Sequence, residues 1–528
     1  MSSPPAPPPG PAGSDARPGA EAQDEALAFL ARGTSYGEGS AAVERIDTHC
    51  SIIFLVGERA FKVKRAVTFS YLDYSTLALR KRYCEAELAL GRRLAPTLYQ
   101  GLHALTRKPD GALMLDGKGP AVEYLVEMRR FDAEALFDKL AARGALTPAL
   151  MRELADGIAA FHAAAEPTPD HGGSAPIRAV IEDCRINLHR AARLFEAGRI
   201  DALIAAMTAA WEQVAPLLDR RRAEGKIRQC HGDLHLRNIC LLDGRPTLFD
   251  GIEFSKEIAD IDVLYDLAFL LMDLHHREHD DLGNLVFNRY LDRTGDAGGL
   301  AALPLFLSLR AAIRAHVTAA TVLQHPDDAA AEQARSYLAL ARELLRPREP
   351  RLIAVGGLSG TGKSSLARAV APELGPVPGA RMIHTDVIRK RLCGVAPETR
   401  LPPEAYSRAM NDRVYAALCA EAKQALGAGY AAVADAVFLL PEERAAAAAA
   451  AAAAGVPFTG IWLEAPEAVL AQRIAARTGD ISDANVAVLR LQLGHDAGAI
   501  DWHRLDATKG IDDLAASARS LLAQSSSS

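Results

Sequence analysis

Two stretches of this chain carry side chains suited to handling the phosphates of a nucleotide, and they are built differently. The first is His231-Gly232-Asp233-Leu234-His235-Leu236-Arg237-Asn238, followed by Asp250 at the end of the apolar run Thr247-Leu248-Phe249. In-line phosphoryl transfer needs a base that orients the attacking hydroxyl, and hard oxygen ligands for magnesium. Asp233 fits the base, and Asn238 and Asp250 fit the ligands. The second stretch is Gly357-Leu358-Ser359-Gly360-Thr361-Gly362-Lys363-Ser364. A glycine-rich loop between a buried strand and a helix aims successive backbone N–H groups at phosphate oxygens, and the helix dipole adds to the attraction. Leu352-Ile353-Ala354-Val355 supplies the strand and Lys363-Ser364-Ser365-Leu366-Ala367 the helix. On this reading Gly357, Gly360, Thr361, Gly362 and Ser365 shape the cradle, Lys363 faces the β- and γ-phosphates, and Ser364 holds magnesium.

The loop establishes nucleotide binding but not the fate of the nucleotide. The apolar residues 431–434 end in Asp435, a carboxylate placed to support magnesium, and the next residue is Ala436. Mechanical ATPases of the AAA type usually have Glu there to activate water, so its absence favours transfer over hydrolysis. After the second strand, Arg381-Met382-Ile383-His384-Thr385, come Asp386 and Arg389, three apart on one helix face. That pair resembles the acceptor site of phage-type polynucleotide kinases and related small-molecule kinases. The resemblance implies that Asp386 binds the attacking hydroxyl and Arg389 a neighbouring phosphate. Arg473 and Arg477, one helical turn apart, look like the lid of such kinases, closing cations over the transferring group.

The elements that must position the first site read as a small β-rich lobe followed by a helical one. Residues 52–66 pattern as a β-hairpin turning at Gly57-Glu58, Thr76 to Leu94 as a helix, and Val122 to Met128 as a strand. With H-G-D-x-x-x-x-N at His231 to Asn238 and Asp250 after a short strand, this layout resembles the aminoglycoside phosphotransferase family. Phe61-Lys62-Val63-Lys64, Phe69-Ser70-Tyr71-Leu72-Asp73 and residues 262–269 further resemble a bacterial group in which such a domain precedes a P-loop kinase. The resemblance implies a phosphate-contacting lysine at Lys64, with Lys62 on the same face as its rival, and Glu87 as the ion-pair partner. A zinc pair at His231 and His235 is the competing reading of the loop, and Arg220-Arg221-Arg222 reads as a solvated face.

At 528 residues the chain exceeds what one core supports, giving a prior of roughly two to four domains. A Pro/Ala/Gly-rich arm occupies residues 1–24 and reads as disordered. The two prolines of Leu344 to Pro350 mark a boundary, so residues 25–346 form the kinase-like domain and 347–528 the P-loop kinase domain. The alanine run Ala445 to Ala454 follows Pro441-Glu442-Glu443, a helix-start signal, and reads as an ordinary helix. The expected fold class is an α+β, two-lobed, protein-kinase-like domain followed by an α/β domain with a parallel sheet. Net charge of −6 argues against a broad nucleic-acid surface. Seven scattered cysteines, no signal sequence and no long apolar run point to a cytoplasmic protein without a membrane partner. The sequence therefore predicts a tandem phosphotransferase using ATP and magnesium on small-molecule hydroxyls. Its alternatives are one catalytically silent, ATP-binding regulatory domain, or a P-loop domain that phosphorylates nucleic-acid 5′ hydroxyls.

Overall fold

The computed structural model describes residues 18–39, 42–69, 72–476, 483 and 485–524. It divides into two compact units, one made of residues up to Pro176 with Arg221–Leu267, the other of Ile177–Arg220 with the chain from Ala268 onward.

The first unit opens with helix α1 (Pro18–Leu30) and a six-stranded antiparallel sheet. Its strands are β1 (Glu44–Asp47), β2 (Ser51–Val56), β3 (Arg59–Lys64), β4 (Tyr99–Arg107), β5 (Leu113–Leu115) and β6 (Ala121–Arg129), in the order β1-β2-β3-β6-β4-β5. Strand alternation sends Phe61 and Val63 into a core with Phe54, Val56, Leu105 and Leu125. Lys62 and Lys64 take the opposite face. Helix α2 (Leu77–Leu94), started by the Thr76 hydroxyl accepting Leu79 N–H at 3.2 Å, carries Glu87 to that face. Residues 18–24 depart from the expected loose arm because they begin α1. The carboxamide of Gln23 donates to Lys64 O and accepts Ala66 N–H, each at 2.8 Å, while Ala26, Leu27 and Leu30 enter the core.

Helix α3 (Pro148–Ala164) leads to two long helices, α4 (Ser174–Arg190) and α5 (Ala197–Ala223). The chain then forms β7 (Ile227–Gln229), β8 (Ile239–Leu242), β9 (Arg245–Leu248) and β10 (Asp260–Asp262), with β8 paired to β9 and β7 to β10. The histidine-aspartate motif lies between β7 and β8. Arg221 corrects the expectation of a solvated basic face: it is 1% exposed, and its guanidinium grips Asp262 through bonds of 2.7 and 2.8 Å.

The division falls within α6 (Val263–His276), and the second unit continues through α7 (Asp280–Thr294), α8 (Leu303–Gln324) and α9 (Asp328–Glu343). The stretch Ala297–Gln324 is long and apolar enough to cross a membrane, yet 67% of its apolar 18-residue window is buried within the protein. The next elements are β11 (Leu352–Gly357), α10 (Lys363–Val370), β12 (Arg381–His384), α11 (Thr385–Leu392), α12 (Arg408–Gly427), β13 (Ala432–Asp435), α13 (Pro441–Ala454), β14 (Phe458–Glu464), α14 (Glu467–Ala475), α15 (Val486–Leu493), β15 (His503–Asp506) and α16 (Ile511–Gln524). The five strands form one parallel sheet in the order β12-β13-β11-β14-β15. The alanine run is helix α13, as expected.

Helix α7 shares this unit. Its Asp292 lies 2.6 Å from the guanidinium of Arg381, and its Phe287 stacks on Tyr430 with ring centroids 5.8 Å apart. A fragment of residues 348–528 lacks both partners. It is expected to unfold at a lower urea concentration than the same segment in the full chain, as followed by hydrogen exchange on β12. Equal midpoints would restore the independent folding that the proline-marked boundary suggests.

Candidate functional site

The first site is assembled around Glu87. Its Oε1 accepts from Lys62 Nζ and its Oε2 from Lys64 Nζ, each at 2.7 Å. Beyond Glu87 the lysines diverge. Lys62 bonds Asp250, whereas Lys64 bonds Glu253 and lies 3.2 Å from the Tyr74 hydroxyl. Burial opposes both ammonium charges, but the surrounding carboxylates outweigh it and hold both pKa values well above lysine's ordinary one. Burial likewise opposes the Glu87 carboxylate, and the two lysines override it and keep the group ionised. The Lys64–Glu253 end is closed to solvent, whereas the Asp250 side chain is 48% exposed. The open end of the cluster is therefore Lys62 with Asp250.

Asp250 has a backbone φ of 60°, uncommon outside glycine, and its N–H donates to the Tyr99 hydroxyl at 3.1 Å. Such a conformation persists only where neighbours over-determine it. The loop before it is equally constrained. Asn238 Nδ2 donates to Asp233 Oδ2 at 2.8 Å and to Asp233 O at 2.9 Å, while Asn238 O accepts Phe249 N–H at 3.0 Å. These bonds bring the loop beside Asp250. Asn238 is buried, and both of its bonds to Asp233 run from Nδ2 rather than from its carbonyl oxygen. That carboxamide oxygen and the Asp250 carboxylate are hard donors, which fits magnesium.

His231 and His235 do not form a zinc pair. Burial lowers the pKa of His231, whose Nε2 donates to Phe249 O at 2.8 Å and whose Nδ1 accepts Asp233 N–H at 3.3 Å. His235 Nε2 lies 3.3 Å from Asp233 Oδ2. Beneath the loop, Asp266 on α6 accepts the N–H groups of His231 at 3.1 Å and Gly232 at 2.8 Å, with His162 on α3 3.0 Å away. A buried carboxylate thus pins the backbone that presents Asp233.

In the second site, β11 ends at Gly357 with φ 135°. A Cβ there would stand 2.6 Å from Leu463 O, and one at Gly360 would stand 2.9 Å from Leu470 O, so only glycine fits this turn. Lys363, first in α10, reaches back to Leu358 O at 3.0 Å, and the hydroxyl of Thr361 bonds the same oxygen at 2.8 Å. The parallel register sets Asp435 opposite both Val355 and His384. Ser364 is an electrostatic neighbour of Asp435, and His384 Nδ1 lies 2.7 Å from Asp435 Oδ2. Burial works against both charges of that pair, but their mutual attraction prevails, raising the pKa of His384 and lowering that of Asp435. The hydroxyl and carboxylate oxygens again fit magnesium. Ser359 N–H of the loop donates to Gln492 Oε1 on α15 at 2.9 Å.

Asp386 lies in the first turn of α11 and Arg389 in its last. Arg389 is 6% exposed, donates from Nη1 to Ala405 O at 3.0 Å and lies 4.7 Å above the Tyr406 ring. Its buried Nε has no partner among the described residues. Burial, the hydrogen bond to Asp483 and the charge of Asp386 together push the Tyr406 pKa up, so Asp386, Arg389 and Tyr406 are electrostatic neighbours.

Residues 77–304 match the model of the phosphotransferase enzyme family, and residues 352–495 match a model described as an AAA domain. Over 471 residues the chain is 32% identical to an uncharacterized protein of Mycobacterium tuberculosis and equally to one of Mycobacterium bovis, covering 87% of this chain and 91% of each relative. The chain belongs to this bacterial tandem family, a phosphotransferase-type domain followed by a P-loop domain. Solved structures similar in part include a gluconokinase from Sinorhizobium meliloti, at 25% identity over 34% of this chain and 94% of that one, with a TM-score of 0.25. A choline/ethanolamine kinase family protein from Mesorhizobium loti matches at 16% identity over 62% of this chain and 95% of that one, with a TM-score of 0.37.

In this tandem protein the structure joins Asp233 to Asn238 and Lys62 to Asp250, and sets Ser364 near Asp435 and Asp386 near Arg389. It departs from the sequence reading at Lys64. Two residues further along β3 than Lys62, Lys64 is enclosed by Glu87, Glu253 and Tyr74, and Lys62 is the lysine on Asp250. Arg473 lies in the last turn of α14, and Arg477 lies outside the described residues. Sequence reasoning missed Asp266, His162, Tyr99, His384 and Gln492. Asp266 did leave a signal, as a carboxylate inside the otherwise apolar Val263-Leu264-Tyr265-Asp266-Leu267-Ala268-Phe269. His384 left none, because it closes an ordinary strand.

The two lysines are expected to separate experimentally. Lys62→Ala should weaken Mg-ATP binding at the first site with little change in folding. Lys64→Ala leaves Glu253 without its cation in a closed pocket, with the Tyr74 hydroxyl still bonded to it at 2.7 Å, and should cost about 3 kcal/mol of stability. Titration calorimetry and urea unfolding of both variants test this, and a Lys64→Ala protein of full stability would return Lys64 to the nucleotide.

Proposed function

We propose that the protein is an ATP- and magnesium-dependent tandem phosphotransferase with two active sites, each passing a phosphoryl group to a hydroxyl of a small molecule. The functional division falls between residues 304 and 352, the interval separating the two family matches and containing the 346/347 boundary read from sequence. The observation that carries the reading is the bonding of Asn238 to Asp233 on one side of the loop while Asp250, next to the Asn238-bonded Phe249, holds Lys62. That arrangement supplies an acceptor-side base next to a phosphate-side cation and carboxylate, which is what in-line transfer requires.

At the first site Asp233 accepts the proton of the attacking hydroxyl, Asn238 Oδ1 and Asp250 hold magnesium, and Lys62, fixed by Glu87, contacts the nucleotide phosphates. Magnesium, when bound, neutralises charge on the transferring group. At the second site the loop from Gly357 to Ser365 cradles the phosphates and Lys363 faces them. Ser364 and Asp435 hold magnesium, Asp386 orients the acceptor hydroxyl, and Arg389 binds an anionic group of the acceptor, with Arg477 as the further cation. Free thiols at all seven cysteines support a cytoplasmic location. The test is transfer of labelled phosphate from ATP across a library of small alcohols, with Asp233→Ala and Asp386→Asn assigning each product to a site. Labelled inorganic phosphate as the sole product, unchanged in either variant, would overturn the reading.

A further inference from the structure

We propose that helix α7, although it lies within the phosphotransferase-family match, is a working part of the P-loop site: the Asn288 carboxamide stands in for a missing edge strand on β12. It thereby positions His384, Asp386 and Arg389. The proposal rests on the P-loop being the second nucleotide site.

Among the described residues, strand β12 is the edge of the parallel sheet, paired only with β13. On the β13 side, Arg381 N–H donates to Ala431 O at 2.9 Å. The groups flanking Arg381 point the other way, where an exposed edge would leave them unpaired. There, Asn288 Oδ1 accepts Met382 N–H at 2.7 Å and Asn288 Nδ2 donates to Ala380 O at 3.1 Å. In a parallel ladder one residue bonds the C=O before and the N–H after its partner, and a side-chain carboxamide can offer the same two groups, an N–H donor and a carbonyl acceptor. Asn288 reproduces that rung from a helix.

Its neighbours extend the contact. Asn284, one helical turn earlier, donates to Pro378 O at 3.0 Å and Ala380 O at 3.1 Å. Asp292, one turn later, meets the Arg381 guanidinium at 2.6 Å. Residues spaced by four share a helix face, so α7 presents three polar side chains in line with the strand's start. Asn284 and Asn288 are 2% and 6% exposed, a depth at which an amide is stable only when its hydrogen bonds are made, and the strand makes them.

The start of β12 matters because its end carries chemistry. Three residues beyond Arg381, His384 bonds Asp435, and α11 follows at once with Asp386 and Arg389. A shift of the strand moves all of them together. Nucleotide binding that orders this strand must also stabilise the helix bonded to it.

Hydrogen exchange on the full chain, with and without Mg-ATP, tests the idea. In the wild type, Mg-ATP is expected to slow exchange in α7 as well as in β11 and β12, and Lys363→Ala is expected to lose both effects. Protection confined to residues 352 onward overturns the inference. Protection that survives Lys363→Ala overturns the P-loop reading instead. Asn288→Leu keeps the branched shape and removes both bonds. It should weaken P-loop binding of Mg-ATP roughly tenfold, a typical coupling between linked elements. Asn288→Asp, which keeps the acceptor for Met382 N–H, should recover part of that loss, a rescue that bulk packing does not predict. A folded Asn288→Leu protein with wild-type affinity also sinks the proposal, and if that variant fails to fold, the wild-type exchange data decide.

Discussion

Replacing Asp233 by Ala is expected to lower transfer at the first site by roughly a hundred- to ten-thousandfold, the scale of lost general-base catalysis, while ATP affinity there stays within about threefold. The asymmetry comes from geometry. Asp233 is held by Asn238 on the loop, whereas the cluster proposed to meet the nucleotide is Lys62, Glu87 and Asp250. Asp250→Ala takes a charge partner from Lys62 and the proposed magnesium ligand from the site, so it should weaken Mg-ATP binding as well. Steady-state transfer and calorimetric affinity, measured side by side, decide the matter. An Asp233→Ala protein with near wild-type turnover on an identified acceptor would show that the loop is not a catalytic loop.

The second large effect separates Lys363→Ala from Asp386→Asn. Lys363 begins α10 and is the ammonium of the phosphate loop, so its loss should lower nucleotide binding, background hydrolysis and transfer together. Asp386 opens α11 on the strand edge, beside Arg389 and Tyr406, and its charge reaches Tyr406. Asp386→Asn leaves the cradle intact, so ATP should still bind while transfer falls by about a hundredfold or more. A phosphotransferase requires these divergent phenotypes. A nucleotide sensor or a plain ATPase requires that Asp386→Asn be nearly silent, and full activity of that variant on the true acceptor removes Asp386 from the site.

Short-range order was legible in the chain itself. The phosphate loop between an apolar strand and a helix, the loop from His231 to Asn238, the lysine-bearing hairpin, the helix from Thr76 and the alanine helix each depend on residues within a turn or two of one another. Their propensities and periodicities are therefore written locally. What needed the tertiary structure was the choice of partner across long separations. Lys62 and Lys64 share one strand face, and only the folded positions of Asp250 and Glu253, nearly 190 residues away, tell the open lysine from the enclosed one. Arg221 looks like its neighbours Arg220 and Arg222 until Asp262 buries it. Asp266 and His162 are an unremarkable acid and histidine until they meet under the loop. The deepest case is α7. Asn284, Asn288 and Asp292 read as a polar helix face, and a proline-marked boundary separates them from the P-loop in sequence. Their partners are backbone groups of residues 378–382, and a backbone N–H or C=O carries no mark in the amino-acid sequence of which side chain will meet it.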